Sequence, residues 1–353
     1  MARQILVEHM KALVIQKKKI GDVLTSTVIF EALKEKFPSI ELDYLIYPNC
    51  EPVVRNNPFI NNVILLDEKT KKKFIKYITF LISIKKKKYD IVIDVYAKPN
   101  SLLIGIFTGA KTKISFEKIY TNFFYTHTIN RNINLNTNAS VAIEHRMLLL
   151  EPLGIEFKEI KPKIFLTNVE REIAKNKLIS AGISISKPII MISAIGSNEN
   201  KTYNLPYMSK VIEQIGKNNE VQLLFNYMTF QKDLAHSLLK LCNQATQDKI
   251  HFEVYESNLR EFLALTSHCK ALIGNEGGAT NMAKALNIPT FTIFSPFVKK
   301  IGWNMFENNT TNISVHIDDY LENDSLNNTE KYTLFKPKLF EDKLKNFIEL
   351  NCV

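Results

Sequence analysis

KALIGNEGGATNMAKALNIPTFTIFSP, residues 270–296, is the stretch that decides the fold. A short apolar run closes on Asn275, and Glu276, Gly277 and Gly278 follow as a turn. Ala279, Met282, Ala283 and Leu286 then recur at i, i+3, i+4 and i+7, the spacing of one helix face. The segment IPTFTIFSP reads as the next buried strand. Strand, turn, helix and strand make a βαβ unit of a parallel sheet. Two glycines at a helix start leave N–H groups free and let backbone approach a ligand, which suits a diphosphate. The same turn also serves for packing in any α/β sheet. It lacks the G-x-G-x-x-G spacing of a dinucleotide site.

Working outward, the same alternation recurs. Upstream, PIIMISA, EVQLLFNY and KIHFEVY read as strands, with helices near 205–216, 230–243 and 258–268 between them. In IIMISAIGSNENKTYNLP, residues 189–206, a strand runs into Gly196 and Ser197, with Lys201 just beyond. Small residues and one lysine after a strand suit phosphate, and suit an ordinary loop equally. The first half of the chain repeats the pattern. KALVIQ, IELDYLIY, NNVILL, DIVIDVY and TKISF are strands, the third and fourth of buried type. A lysine-rich helix spans roughly 68–87, residues 118–137 are irregular, and a helix follows from about 139 to 152. EPLGIEFKEIKPKIFLTN, without period, connects the halves.

The first strand leads into QKKKIGDVLTSTVIFEAL, residues 16–33. Gly21 allows a tight turn and close approach of a ligand. Asp22 stands in the first helical turn, where it serves as a cap or, facing a ligand, as a general base. Three lysines are badly placed beside the positive end of a helix dipole, and an anionic ligand relieves the mismatch.

Bulk properties bound these readings. The chain has 353 residues, 45% of them hydrophobic, with mean hydropathy near zero. This length exceeds what a single core usually holds, so two domains are expected. No apolar run approaches the roughly 20 residues of a membrane span. The first residues, MARQILVEHMKALVIQ, do not read as a signal peptide, so a cytoplasmic protein is expected. Cys50, Cys242, Cys269 and Cys352 lie far apart and read as free thiols. Net charge is 46 − 36 = +10, and only six of the basic residues are arginine. An arginine-poor basic surface points to diffuse attraction, toward an anionic membrane face, an acidic glycan or a phosphorylated substrate, rather than to nucleic acid. The runs KTKKKFIKY and IKKKKYD read as solvated helix faces. No HExxH, GxSxG, Walker or zinc-type spacing occurs, nor an Asp-x-Asp clamp, so no metal site is expected.

Taken together, VIQKKKIGDVLTSTVIFEALKEKFP, the Lys201 loop and GNEGGATNMAKALNIPTFTIFSP resemble one family over nearly the whole chain. They are similar to the lipopolysaccharide heptosyltransferases of glycosyltransferase family 9, which have the GT-B fold. The resemblance implies an α/β protein of two Rossmann-like, doubly wound domains facing across a cleft. Residues 1–165 would bind the acceptor and 166–325 the donor, with 326–353 packing back on the N-terminal domain. It implies metal-independent, inverting transfer of a sugar, by default heptose from ADP-heptose, to a lipopolysaccharide-type acceptor, with no cofactor. Asp22 matches the catalytic base. Lys201 matches a phosphate-contacting lysine, and Ser197 lies near a hydroxyl residue with the same task. Glu276 stands where the family has an aspartate holding donor hydroxyls. Gly277, Gly278 and Ala279 would offer N–H groups to the diphosphate.

Four departures touch the sugar pocket more than the phosphate site. Lys18 and Lys19 replace two serines, Glu276 replaces the aspartate, Asn281 a histidine, and Tyr203 stands near a missing tryptophan. Lys18 and Lys19 therefore point to an anionic glycolipid acceptor, in a site that would include Gly21, and the basic charge of the chain points to peripheral contact with the inner membrane face. A different nucleotide sugar, a non-catalytic binder of nucleotide or anionic glycan, and an epimerase acting without acceptor are the rival readings.

Overall fold

The computed structural model describes residues 10–132, 137–218, 220–321 and 325–352. Residues 1–9, on which much of the N-terminal reading rests, and 133–136 of the Asn-rich loop lie outside them. The chain divides into two compact units, Met1–Phe165 and Leu166–Val353.

The first unit holds a six-stranded sheet in which every pairing is parallel. Strand β1 (Lys11–Ile15) is buried from Ala12 onward, as a strand covered on both faces must be. It leads into α1 (Ile20–Thr25) and α2 (Val28–Lys36), then β2 (Glu41–Ile46) and β3 (Asn62–Leu65). Helices α3 (Glu68–Lys72) and α4 (Phe74–Lys86) return the chain to β4 (Ile91–Asp94). After α5 (Pro99–Thr108) come β5 (Thr112–Phe116), β6 (His127–Ile129) and α6 (Val141–Leu148). The strand order is β3-β2-β1-β4-β5-β6. The order reverses between β1 and β4, and ligands of such sheets bind at the carboxyl ends beside that reversal.

Three expectations change here. NNVILL is a half-exposed edge strand, not a buried one. The lysine-rich helix is broken at Lys73, whose backbone is extended at φ −99°, ψ 104°. Lys69, Lys72, Lys73 and Lys76 would otherwise stack like charges three and four residues apart. The supposedly irregular segment contains β6, whose short ladder to β5 is fastened by Thr126 donating to the Lys113 carbonyl at 3.0 Å.

The second unit opens with α7 (Asn168–Ser180), a helix the periodicity reading passed over. Thr167 and Glu170 form its capping box, with Thr167 N donating to Glu170 Oε2 at 2.7 Å. Then follow β7 (Ile189–Ser193), α8 (Leu205–Gly216), β8 (Gln222–Asn226), α9 (Lys232–Leu241), the single turn α10 (Gln244–Gln247) and α11 (Leu259–Thr266). The βαβ unit is β9 (Ala271–Asn275), α12 (Gly278–Ala285) and β10 (Thr290–Ile293). The chain continues through α13 (Lys300–Trp303), β11 (Asn312–Val315), α14 (Asn328–Leu334) and α15 (Glu341–Asn351). The sheet is again parallel, in the order β11-β10-β9-β7-β8, reversing between β7 and β9.

KIHFEVY is not a strand; it supplies one bridge, Leu223 to Ile250. Its aromatics anchor it instead, with the Phe252 ring stacked 5.4 Å from Tyr227. The fifth strand is β11. The tail corrects a second expectation. Phe340, Leu344 and Phe347 pack into the core of the second unit rather than returning to the first. The rings of Phe340 and Phe347 lie 6.0 and 5.6 Å from Phe291 of β10.

Candidate functional site

In the second unit, the turns after β7 and β9 flank the reversal point, and Asn275 joins them. Its buried side chain donates to the carbonyls of Ser193 (2.8 Å) and Ala194 (2.9 Å) and accepts from Tyr203 N at 2.6 Å. Gly274 makes the strands' approach feasible: a Cβ there would stand 2.5 Å from the Ser193 carbonyl oxygen. A Cβ on Gly196 would lie 2.1 Å from the carbonyl oxygen of Lys201. The Gly196–Lys201 loop therefore folds tightly on itself, and Gln231 ties it down by donating to the Gly196 carbonyl at 2.7 Å.

This folding brings the Lys201 ammonium to 2.8 Å from Glu276 Oε1. The carboxylate is buried, 7% exposed, and the lysine side chain is 32% exposed. The contact is charge against charge: Glu276 Oε1 receives no directed hydrogen bond among the described residues. Gly277 beside it has φ +150°, a conformation that favours glycine. Gly278 and Ala279 open α12, where first-turn N–H groups lack intrahelical acceptors. Glu276, Thr280, Asn281, Lys284 and Trp303 line a cavity of about 10 Å³, room for roughly one water. Asn281 thus borders the acid. Tyr203 does not: it is a core residue whose hydroxyl donates to the Phe335 carbonyl. Ser197 is exposed on the same loop.

In the first unit, the turn after β1 lies at the other reversal. Gly21 is not the tight turn expected. It is the second residue of α1, with open space where a Cβ would stand. Asp22 occupies the third helical position. Its Oδ1 accepts from Arg146 Nη2 of α6 at 2.9 Å, and its Oδ2 lies 3.5 Å from Lys19 N. Arg146 is held from all sides, donating also to Ser26 Oγ (2.8 Å) and the Ala142 carbonyl (2.7 Å). Burial pushes the Arg146 pKa down, and the Asp22 charge opposes that shift.

The three lysines part company. Lys18 and Lys19 are exposed, whereas Lys17 turns inward. Its ammonium donates to Asn100 Oδ1 and stands 5.2 Å over the Tyr96 ring. Burial, followed by repulsion from Lys71, lowers its pKa to about 8. Asp94 closes β4 beneath it, fully buried, accepting from Tyr125 (2.6 Å) and Ala97 N (2.8 Å). Burial raises the Asp94 pKa. Sequence reading missed Arg146, Asn275 and the burial of Lys17. The one available signal for Arg146 was an arginine inside the apolar helical run VAIEHRML. No group of three or more His, Cys, Asp or Glu side chains placed to hold a metal occurs among the described residues.

The sequence model of glycosyltransferase family 9 (heptosyltransferase) matches residues 78–333. Lipopolysaccharide heptosyltransferase 1 of Campylobacter coli is 24% identical over 290 residues, spanning 81% of this chain and 84% of its own. The glycosyl transferase family 9 structure from Veillonella parvula DSM 2008 superposes with a TM-score of 0.80 at 15% identity, over 96% of this chain and 98% of that one. An E. coli heptosyltransferase solved with ADP-2-deoxy-2-fluoro heptose superposes with a TM-score of 0.68 at 14% identity, over 96% and 99%.

Proposed function

The chain belongs to glycosyltransferase family 9, and from that premise we propose that it transfers heptose from ADP-heptose to an anionic, lipopolysaccharide-type glycolipid with inversion. The observation that carries this reading is the Lys201–Glu276 pair beside the Gly277–Gly278 turn. It offers a cation and free N–H groups to a diphosphate, and a carboxylate to sugar hydroxyls.

In this mechanism the acceptor hydroxyl gives its proton to Asp22. Oδ1 is occupied by Arg146, so Oδ2, held among the described residues by just the long contact to Lys19 N, takes the proton. The acceptor oxygen forms its bond to the anomeric carbon from the face opposite the nucleotide. The bond from that carbon to the phosphate oxygen breaks, and ADP departs with the electron pair. Lys201 and the start of α12 stabilise the charge that develops on the diphosphate. Lys18 and Lys19, both exposed, attract the acceptor's anionic groups.

The test is calorimetric binding of ADP, UDP, GDP and CDP at fixed salt, followed by turnover with ADP-heptose. ADP is expected to bind selectively. Lys201→Ala is expected to weaken it by roughly 10–100-fold, the size of a lost hydrogen bond to a charged group. Selective binding of another nucleotide would keep the transferase and discard heptose. The presence of Glu276 and Asn281 in place of the family's aspartate and histidine favours that second reading for the sugar alone.

A further inference from the structure

We propose that the first unit docks on an anionic lipid bilayer through two segments, the exposed basic and apolar residues 69–76 and the exposed apolar side chains of residues 119–124, beside the edge that carries Asp22. The proposal deepens the glycolipid reading and rests on it, because an acceptor embedded in a bilayer must be met at that surface.

Residues 69–88 contain nine lysines and no acidic residue. Two of the nine are paired, Lys71 with Glu68 and Lys87 with Asp43; the other seven make no ion pair among the described residues. A solvated helix face accounts for the lysines but not for the apolar residues among them. Phe74 is 78% exposed and Ile75 80%, directly between Lys73 and Lys76. Across the sheet, Ile119 is fully exposed and Phe123 is 95% exposed, with Tyr120 and Phe124 beside them. Four large apolar side chains left in water at two loop and helix-start positions are costly for a monomer and useful at an interface.

Both segments are fastened to the carboxyl edge of the sheet. Glu68, which opens α3, accepts from Tyr47 just beyond β2 at 2.5 Å. Lys118 donates to the Ala97 carbonyl, and Tyr125 donates to Asp94 Oδ2 at 2.6 Å, both at the end of β4. The exposed lysines Lys18, Lys19 and Lys98 belong to the same edge. Cations around projecting aromatic and aliphatic side chains match an anionic headgroup layer over acyl chains. No described helix is long and apolar enough to cross a membrane, so the contact is interfacial.

The experiment is co-sedimentation of the full chain with phosphatidylcholine vesicles, with and without phosphatidylglycerol. Selective binding to the anionic vesicles that falls with salt is expected. Combined Lys72→Gln, Lys73→Gln and Lys76→Gln should reduce partitioning about a hundredfold, at about fivefold per lysine. Phe74→Ser with Phe123→Ser should reduce it at least tenfold. Both variants alter exposed residues and should keep the wild-type melting temperature and turnover on a delipidated, soluble acceptor. Absence of vesicle binding, equal binding to neutral vesicles, or unchanged binding by the variants would each overturn the proposal. Loss of turnover on every acceptor with vesicle binding intact would overturn the heptosyl reading instead.

Discussion

The two reversal points carry mirror-image ion pairs. In the second unit the acid is buried and the cation faces outward: Glu276 is 7% exposed, Lys201 32%. In the first the cation is buried and the acid faces outward: Arg146 is 8% exposed, Asp22 27%. A buried partner fixes an exposed one at the cost of its own desolvation. Each unit therefore exposes one charge more than the counter-charge that holds it. The charge displayed is the one that the proposed chemistry needs, a carboxylate to take a proton and an ammonium to face a departing diphosphate.

Breaking the outward member of the first pair should have the largest effect. Asp22→Asn removes the base while keeping the shape, and turnover should fall by about 10²–10⁴, the usual worth of general base catalysis. Nucleotide affinity should not change, since the proposed donor contacts belong to the other pair; calorimetry beside single-turnover kinetics separates the two. Turnover near wild type would strip Asp22 of the role. Breaking the hidden member should cost less. Arg146→Gln leaves Asp22 chemically intact but frees Oδ1, and a misplaced base is expected to lose about tenfold in kcat with KM for the donor unchanged. Arg146→Lys should recover part of that loss. Equal kcat in Arg146→Gln would show that the pair serves packing alone.

The pairs also differ in how far they could be read from sequence. Glu276, Gly277 and α12 are legible because strand, turn and helix follow one another, and the helical spacing of Met282 and Ala283 needs no distant partner. Arg146 lies 124 residues from Asp22. Nothing local marks the contact, and only the packing of α6 beside α2 creates it. The errors of element assignment have the same origin. KIHFEVY alternates because its aromatics pin a loop, which strand periodicity cannot distinguish. The tail helix α15 is amphipathic in any context, and its sequence does not say which unit's core receives Phe347. In α7 the Thr167–Glu170 signature was present, but the helix buries only Ala174 and Leu178, too few for a periodic signal.

Lys17 sharpens the comparison with the smallest effect, one of stability rather than turnover. It is a hidden cation with no carboxylate in contact among the described residues, unlike Arg146; its bonded partner is the neutral Asn100. Burial holds its folded pKa at about 8, against 10.5 for an ordinary lysine. Below pH 8 the ammonium is charged in both the folded and the unfolded chain, and folding bears the full cost of burying it. Between pH 8 and 10.5 the folded chain has released the proton while the unfolded chain still holds it. The unfolded state then binds more protons, so the Lys17 contribution to stability improves as pH rises through this window. Lys17→Met carries no such titration. The wild type should therefore gain stability relative to Lys17→Met from pH 8 to 10.5, as read from the difference of their urea midpoints. Titrating groups remote from Lys17 are common to both chains and cancel in that difference. A difference that stays flat across the window would mean that Lys17 titrates as an ordinary surface lysine, and that the first unit hides one cation at its reversal point rather than two.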